Sequence, residues 1–255
     1  MLRFASMHTA KVARVVAPTA ADGAFLAAAW IAERARLAVF ERGVFAVALA
    51  GGEGPRALYA ALRARDDIDW RAWEVFVGDE CAVPESDPRS VLRGVRAALL
   101  AHVPVPARQV HAAYAPGVEP DAMALAYEDS LRATLGEPAA LDLVILGLGR
   151  DARVLALSPG CAAITERGRD VVALSAPPMD SPARITLTPP MVERARAVVL
   201  LAYGAAKAPA VLAVCEGPDD RSGAPGQIVR DARGEVLATL DEPAAALMPS
   251  EASND

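Results

Sequence analysis

The sequence predicts a three-layer α/β domain built on a mainly parallel sheet. Two observations carry this. Nearly all-apolar runs of strand length recur at residues 12–16, 45–50, 70–77, 141–146 and 195–203. Such runs are the mark of strands buried on both faces, as in a parallel sheet. Each run also ends in a turn, and most turns lead into a segment with apolar residues at helical spacing. That alternation is the pattern of α/β architecture. Ligand sites in such sheets lie outside the carboxyl ends of the strands, so the turns after the runs are where chemistry is sought.

The elements follow in order. Residues 12–16 form a first short strand. Residues 19–41 carry Phe25, Ala28, Ala29, Ala32 and Leu37 at helical spacing. Asp22 lies near the start, where the helix dipole favours a negative charge, and Gly43 is placed to stop the helix. The strand at 45–50 runs into Gly51, Gly52, Glu53, Gly54 and Pro55, and a helix follows from 56 to about 64. A glycine-rich turn that opens a helix offers free backbone N–H groups and the positive dipole end, which suit a phosphate. Glu53 sets a negative charge where that anion would approach.

The strand region at 70–77 delivers Gly78, Asp79, Glu80 and Cys81. Two adjacent carboxylates at a strand end are candidate acid–base groups. A helix is expected at 90–100, with Val91, Val95, Ala98 and Leu99 on one side and Pro104 and Pro106 beyond its end. A brief strand is expected at 110–114 and an amphipathic helix at 120–135. The central stretch is Leu141 to Gly160, where the strand at 141–146 meets Gly147, Gly149, Arg150 and Asp151. Glycines there let backbone approach a ligand with no Cβ in the way. A strand at 170–175, a loop at 177–182 and a buried strand at 195–203 complete the pattern. Residues 1–247 read as a single domain, and 248–255 as a polar, disordered tail.

The central turn resembles the signature of the 6-phosphogluconolactonases, within the glucosamine-6-phosphate isomerase/deaminase superfamily, whose strand runs into GxGxDGHTASLFPG. The likeness lies at Gly147, Gly149, Asp151, Leu157, Pro159 and Gly160. Where that family has Gly-His-Thr, this chain has Ala152, Arg153 and Val154, so the family's catalytic histidine is an arginine here. Residues 50–55 are similar to the family's SGGSTP turn with both hydroxyl side chains gone. Asp79, Glu80, Val83, Pro84 and Ser90 resemble its DERxVP turn and the serine that follows; Cys81, Val91 and Leu92 replace its Arg, Asn and Tyr. Tyr127-Glu128, the run Arg184-Ile185-Thr186-Leu187-Thr188 and the Gly204-x-x-Lys207 turn are also similar. The likeness spans roughly residues 12–247.

The resemblance implies a Rossmann-like three-layer domain, with Arg184 and Lys207 at the positions where the lactonases hold substrate phosphate. It implies ligand contacts from Gly51, Gly52, Gly54 and Gly149. In the family the histidine activates water for attack on the ester carbonyl. Arginine cannot replace it, because its pKa above ~12 leaves no free lone pair near neutral pH. The expected base is a carboxylate, Asp151, Asp79 or Glu80, with Arg153 steadying an oxyanion or a substrate carboxylate. Three readings stay open: an active lactonase-like enzyme with a reassigned site, a non-catalytic ligand-binding or interaction protein, and an ordinary 6-phosphogluconolactonase.

Composition narrows the partners. The chain has 255 residues, a net charge of −6 and 5% aromatics, with no basic stripe, which argues against nucleic acid. Its apolar residues are broken by charges throughout, so no membrane span is expected, and no signal peptide is read at the N-terminus. Cys81, Cys161 and Cys215 form neither a metal spacing nor a disulfide framework, which suits the cytoplasm. No cofactor or metal is expected. The expected partner is a small, anionic or sugar-like substrate, acted on by a monomer or small homo-oligomer. His8, His102 and His111 lie away from the strand-end turns.

Overall fold

The apolar runs become five strands of a seven-stranded sheet, with the run at 70–77 at its edge. The structure is a computed structural model and describes residues 3–6, 12–175 and 182–249. In chain order the strands are β1 (Arg3–Ser6), β2 (Val12–Ala17), β3 (Phe45–Leu49), β4 (Trp73–Val77), β5 (Asp79–Cys81), β6 (Leu143–Gly147), β7 (Val171–Leu174), β8 (Arg184–Leu187), β9 (Ala197–Ala202) and β10 (Glu235–Asp241). The large sheet has the order β1-β2-β10-β9-β6-β3-β4. All its pairings are parallel except β1 with β2. The small sheet, β5-β8-β7, is antiparallel. β3, β9 and most of β6 are buried along their length, which explains their lack of alternation.

The helices are α1 (Ala20–Arg42), α2 (Glu53–Arg63), α3 (Val91–Val95), α4 (Pro120–Leu135), α5 (Pro189–Arg194) and α6 (Ala208–Cys215). The layers are those of the Rossmann-like α/β class. α1 starts and stops as its sequence predicts. The Thr19 hydroxyl accepts the Asp22 N–H at 3.2 Å, and Gly43, at φ 74°, donates back to the Val39 carbonyl at 2.8 Å. None of the helices is long and apolar enough to cross a membrane, among the described residues.

Several expectations need correction. α2 begins at Glu53, not at residue 56, which puts Glu53 in its first turn. The helix expected at 90–100 has Ser90 as its cap and winds from α3 into a π turn at Arg96–Leu100. No strand forms at 110–114; Val110 makes only one isolated bridge, to Val75. The strand at 170–175 and the Arg184 segment belong to the small sheet, not the large one. β10, which the sequence reading passed over, lies between β2 and β9. Residues 177–181 of the expected loop and 250–255 of the expected tail lie outside the described residues, as does His8.

Two buried tyrosines fix the strand ends on which the site is built. The Tyr59 hydroxyl donates to the Ala50 carbonyl at 2.7 Å and accepts the Ala50 N–H at 3.0 Å. Tyr127 does the same for Val77, at 3.1 and 2.7 Å. At the opposite end of β3 and β4, Trp73 packs on Phe45 and Trp70 with ring centroids 4.8 and 4.5 Å apart.

Candidate active site

A cavity of about 760 Å³ opens at the carboxyl edge of the large sheet. Its walls come from the turn after β3 (Gly51, Gly52, Glu53, Gly54), from Asp79, from the turn after β6 (Gly147, Gly149, Arg153), from Arg184, and from Tyr203, Lys207 and Asp241 beyond β9 and β10. The three turns singled out in the sequence therefore meet at one edge. All four candidate glycines, together with Asp79, Arg153, Arg184 and Lys207, line the cavity, whereas Glu80 and Asp151 do not.

The turn after β6 is closed by its own backbone. The Gly149 N–H donates to the Arg153 carbonyl at 2.7 Å, and the Gly226 N–H donates to the Ala152 carbonyl at 2.8 Å. A Cβ on Gly149 would stand 2.5 Å from Asp151 Oδ1 and 3.1 Å from the Arg153 Cβ, so any other residue would have to displace the Asp151 side chain and crowd Arg153. Ala152 sits at φ 61° and Leu155 at φ 55°, both in the left-handed region that costs a side chain energy. The two strained residues flank the segment that presents Arg153 to the cavity. Asp151 is exposed at the rim, with its Oδ1 accepting the Arg153 N–H at 3.2 Å and 3.9 Å from the Arg153 Nε.

Asp79 and Glu80 are adjacent in sequence and separate in surroundings. Asp79 is buried in the cavity wall and paired with the Arg184 guanidinium. Arg184 also donates from Nη1 to the Cys81 Sγ at 3.0 Å, while its buried Nε has no hydrogen-bond partner. Burial pushes the Cys81 thiol up, which disfavours the nucleophilic thiolate, against the lowering effect of Arg184. Glu80 turns instead to the start of α3. It accepts from Cys81 N (2.8 Å), Val91 N (2.6 Å), Leu92 N (2.8 Å) and the Ser90 hydroxyl (3.1 Å). Burial pushes its carboxyl up, against these four bonds. Glu80 is thus placed beside Asp79 but outside the cavity lining, its oxygens taken up at the start of α3.

Arg153, Arg184 and Lys207 bring positive charge to the cavity wall. Lys207 loses basicity through burial and then through the nearby charges of Arg150 and Arg153; Asp151 and Glu53 act in the opposite sense. Tyr203 and Asp241 are site-wall residues that the sequence reading missed. The Tyr203 hydroxyl is bonded to Thr239 Oγ1 at 2.9 Å, and burial pushes it up to about 12. Gly204 N–H donates to both oxygens of Asp241, each at 2.9 Å, and Ala244 N–H donates to Oδ1. Neither described histidine reaches the cavity. His111 is stacked on Phe76 and bonded to Glu74 and Ser130, and His102 is exposed beside the Ala97 carbonyl. No group of three His, Cys, Asp or Glu residues is placed to hold a metal, among the described residues.

Residues 18–238 match the family described as glucosamine-6-phosphate isomerases/6-phosphogluconolactonase. The chain belongs to that family. Within it, the chain is 41% identical over 222 residues to the 6-phosphogluconolactonase of Mycobacterium tuberculosis, covering 84% of this chain and 89% of the relative. It is 37% identical over 221 residues to that of Streptomyces coelicolor, covering 82% and 84%. Among solved structures, the 6-phosphogluconolactonase from Trypanosoma cruzi superposes with a TM-score of 0.79 at 26% identity, over 93% of this chain and 97% of the other. This glucosamine-6-phosphate isomerase/6-phosphogluconolactonase family member therefore keeps the family's fold and carries Arg153 in the wall of its cavity.

Proposed function

We propose that the chain hydrolyses the lactone of a sugar acid, or a similar anionic substrate, in this cleft with a reassigned set of groups. The observation that carries this is the lining of one cavity by Arg153, Lys207 and Arg184, in a chain whose relatives are named 6-phosphogluconolactonase. In the reaction a water oxygen bonds to the lactone carbonyl carbon and the ring C–O bond breaks. The ring oxygen takes a proton and leaves as a hydroxyl, and the product is a carboxylate. Negative charge develops on the carbonyl oxygen and remains on the product, and guanidinium and ammonium groups favour both. Asp151 is the proposed proton acceptor. Its side chain is 45% exposed, so water reaches it, and it is fixed to the Arg153 backbone. Asp79 is held by Arg184 and the Glu80 oxygens are taken up by four donors, which leaves neither free to face a substrate water.

Hydrolysis of 6-phosphogluconolactone and of unphosphorylated gluconolactone, corrected for spontaneous opening, tests the reading. Wild type is expected to turn over the phosphorylated lactone barely above background. Arg153→His, which restores an imidazole, should raise that rate by on the order of 10²-fold, and Asp151→Asn should abolish the native reaction. Wild-type rates on the order of 10 per second or faster would restore an ordinary 6-phosphogluconolactonase. A native reaction indifferent to Asp151→Asn, Asp79→Asn and Glu80→Gln would remove the assigned roles. A binding protein without catalysis is the second reading, favoured by the absence of a described histidine from the cavity wall. It predicts ligand binding with no turnover by any variant except Arg153→His.

A further inference from the structure

We propose that Glu53 sets the substrate class of this cleft. It makes the α2 end of the cavity a place for a sugar hydroxyl, so that an unphosphorylated sugar acid or its lactone is taken in preference to a phosphorylated one. The inference rests on the reading of the cleft as a sugar-lactone site. Glu53 is the first residue of α2 and lines the cavity. Its carboxylate makes no hydrogen bond among the described residues, whereas the other two carboxylates in the wall are engaged, Asp79 by Arg184 and Asp241 by backbone N–H groups. The residue before it, Gly52, gives α2 no side-chain cap.

The chemistry follows from what each group can do. A carboxylate only accepts hydrogen bonds, and so does a phosphate dianion. The two repel at this wall and cannot bond to each other. A sugar hydroxyl donates, and Glu53 can accept it. Positive charge is gathered in the same cavity, where Lys207 feels Arg150 and Arg153, with Glu53 and Asp151 opposing them. Glu53 therefore subtracts from the positive charge that Arg153, Arg184 and Lys207 bring to the cavity, and so limits the negative charge a ligand can place there. A ligand with one anionic group and hydroxyls elsewhere fits that balance, its anion toward Arg153 and Lys207 and a hydroxyl on Glu53. A second, doubly charged group does not.

Calorimetric binding of gluconate and of 6-phosphogluconate to the full chain, as wild type, Glu53→Gln and Glu53→Ser, tests this. Wild type is expected to bind gluconate at least as tightly as 6-phosphogluconate. Glu53→Gln should tighten 6-phosphogluconate on the order of tenfold, the scale of removing one nearby, partly screened charge, and the gain should shrink at high salt. Gluconate affinity should hold or fall, and Glu53→Ser should behave like Glu53→Gln. Glu53 is exposed, so neither variant endangers the fold. Tenfold tighter binding of 6-phosphogluconate than gluconate by wild type would overturn the proposal. So would equal shifts for both ligands, or none, in Glu53→Gln. If wild type binds gluconate or opens its lactone while the variants leave selectivity unchanged, only the role of Glu53 falls. If neither ligand binds any of the proteins and no lactone is opened, the reading of the cleft falls and Glu53 with it.

Discussion

Lys207 carries a charge that depends on the company around it. Burial lowers its pKa below the ordinary lysine value, and Arg150 and Arg153 push in the same direction. An ammonium group is charged below its pKa, so anion binding should be complete at lower pH and lost as pH rises through that lowered value. The loss should begin at a lower pH than for a free lysine, whose pKa is about 10.4. Titrating gluconate affinity upward from about pH 7 checks this, and Lys207→Arg should carry binding to higher pH because guanidinium does not titrate there. Affinity flat with pH in wild type would show that Lys207 does not hold the anion. Glu80 makes the converse point. Its place beside Asp79 suggests a catalytic pair, but four donors converge on it at the start of α3. No local pattern distinguishes a carboxylate that meets substrate from one that anchors a helix, because three of the four donors come from residues ten to twelve positions away.

The turn after β6 is the element on which Arg153 depends. Ala152 stands at φ 61° with its carbonyl bonded to Gly226 N–H, so it cannot relax without releasing a neighbouring segment. Glycine takes this conformation without steric cost, though it gains entropy in the unfolded chain. Ala152→Gly should therefore raise stability by about 0.5–1 kcal/mol, the relief of left-handed strain less that entropy. Urea unfolding measures it, and destabilisation by 1 kcal/mol or more would mean that the alanine methyl contributes packing that outweighs the strain. The Tyr59 clamp on Ala50 and the Tyr127 clamp on Val77 hold the neighbouring strand ends in the same way, each saturating a backbone N–H and a carbonyl that the sheet ladder leaves at its edge.

At the scale of the molecule, the strand that the sequence reading missed is central. β10 pairs with β2 on one side and β9 on the other, so the two ends of the described chain meet inside the sheet. Removing residues 235–255 should leave a chain without cooperative unfolding, read by circular dichroism; a native-like melt would show that β2 and β9 close on each other. The inner strands at 45–50, 141–146 and 195–203 were legible because burial on both faces writes itself as an unbroken apolar run. β10 was not, because Glu235, Thr239 and Asp241 interrupt its run, and Thr239 is buried only through the order of strands around it. The split between large and small sheets was hidden for the same reason, since long-range pairing leaves no local trace. Arg184 and Lys207 were legible through their flanking motifs; Tyr203 and Asp241, at the ends of β9 and β10, depended on that pairing. The tryptophans have a practical consequence. Trp70 and Trp73 pack at the end of the sheet away from the cleft, and Trp30 lies on α1 against Arg34. None lines the cavity, so indole emission reports whether the sheet is intact and not whether the cleft is filled. A ligand will register in fluorescence as a displaced unfolding midpoint, by RT ln(1 + [L]/Kd) in stability, and not as direct quenching of the folded protein.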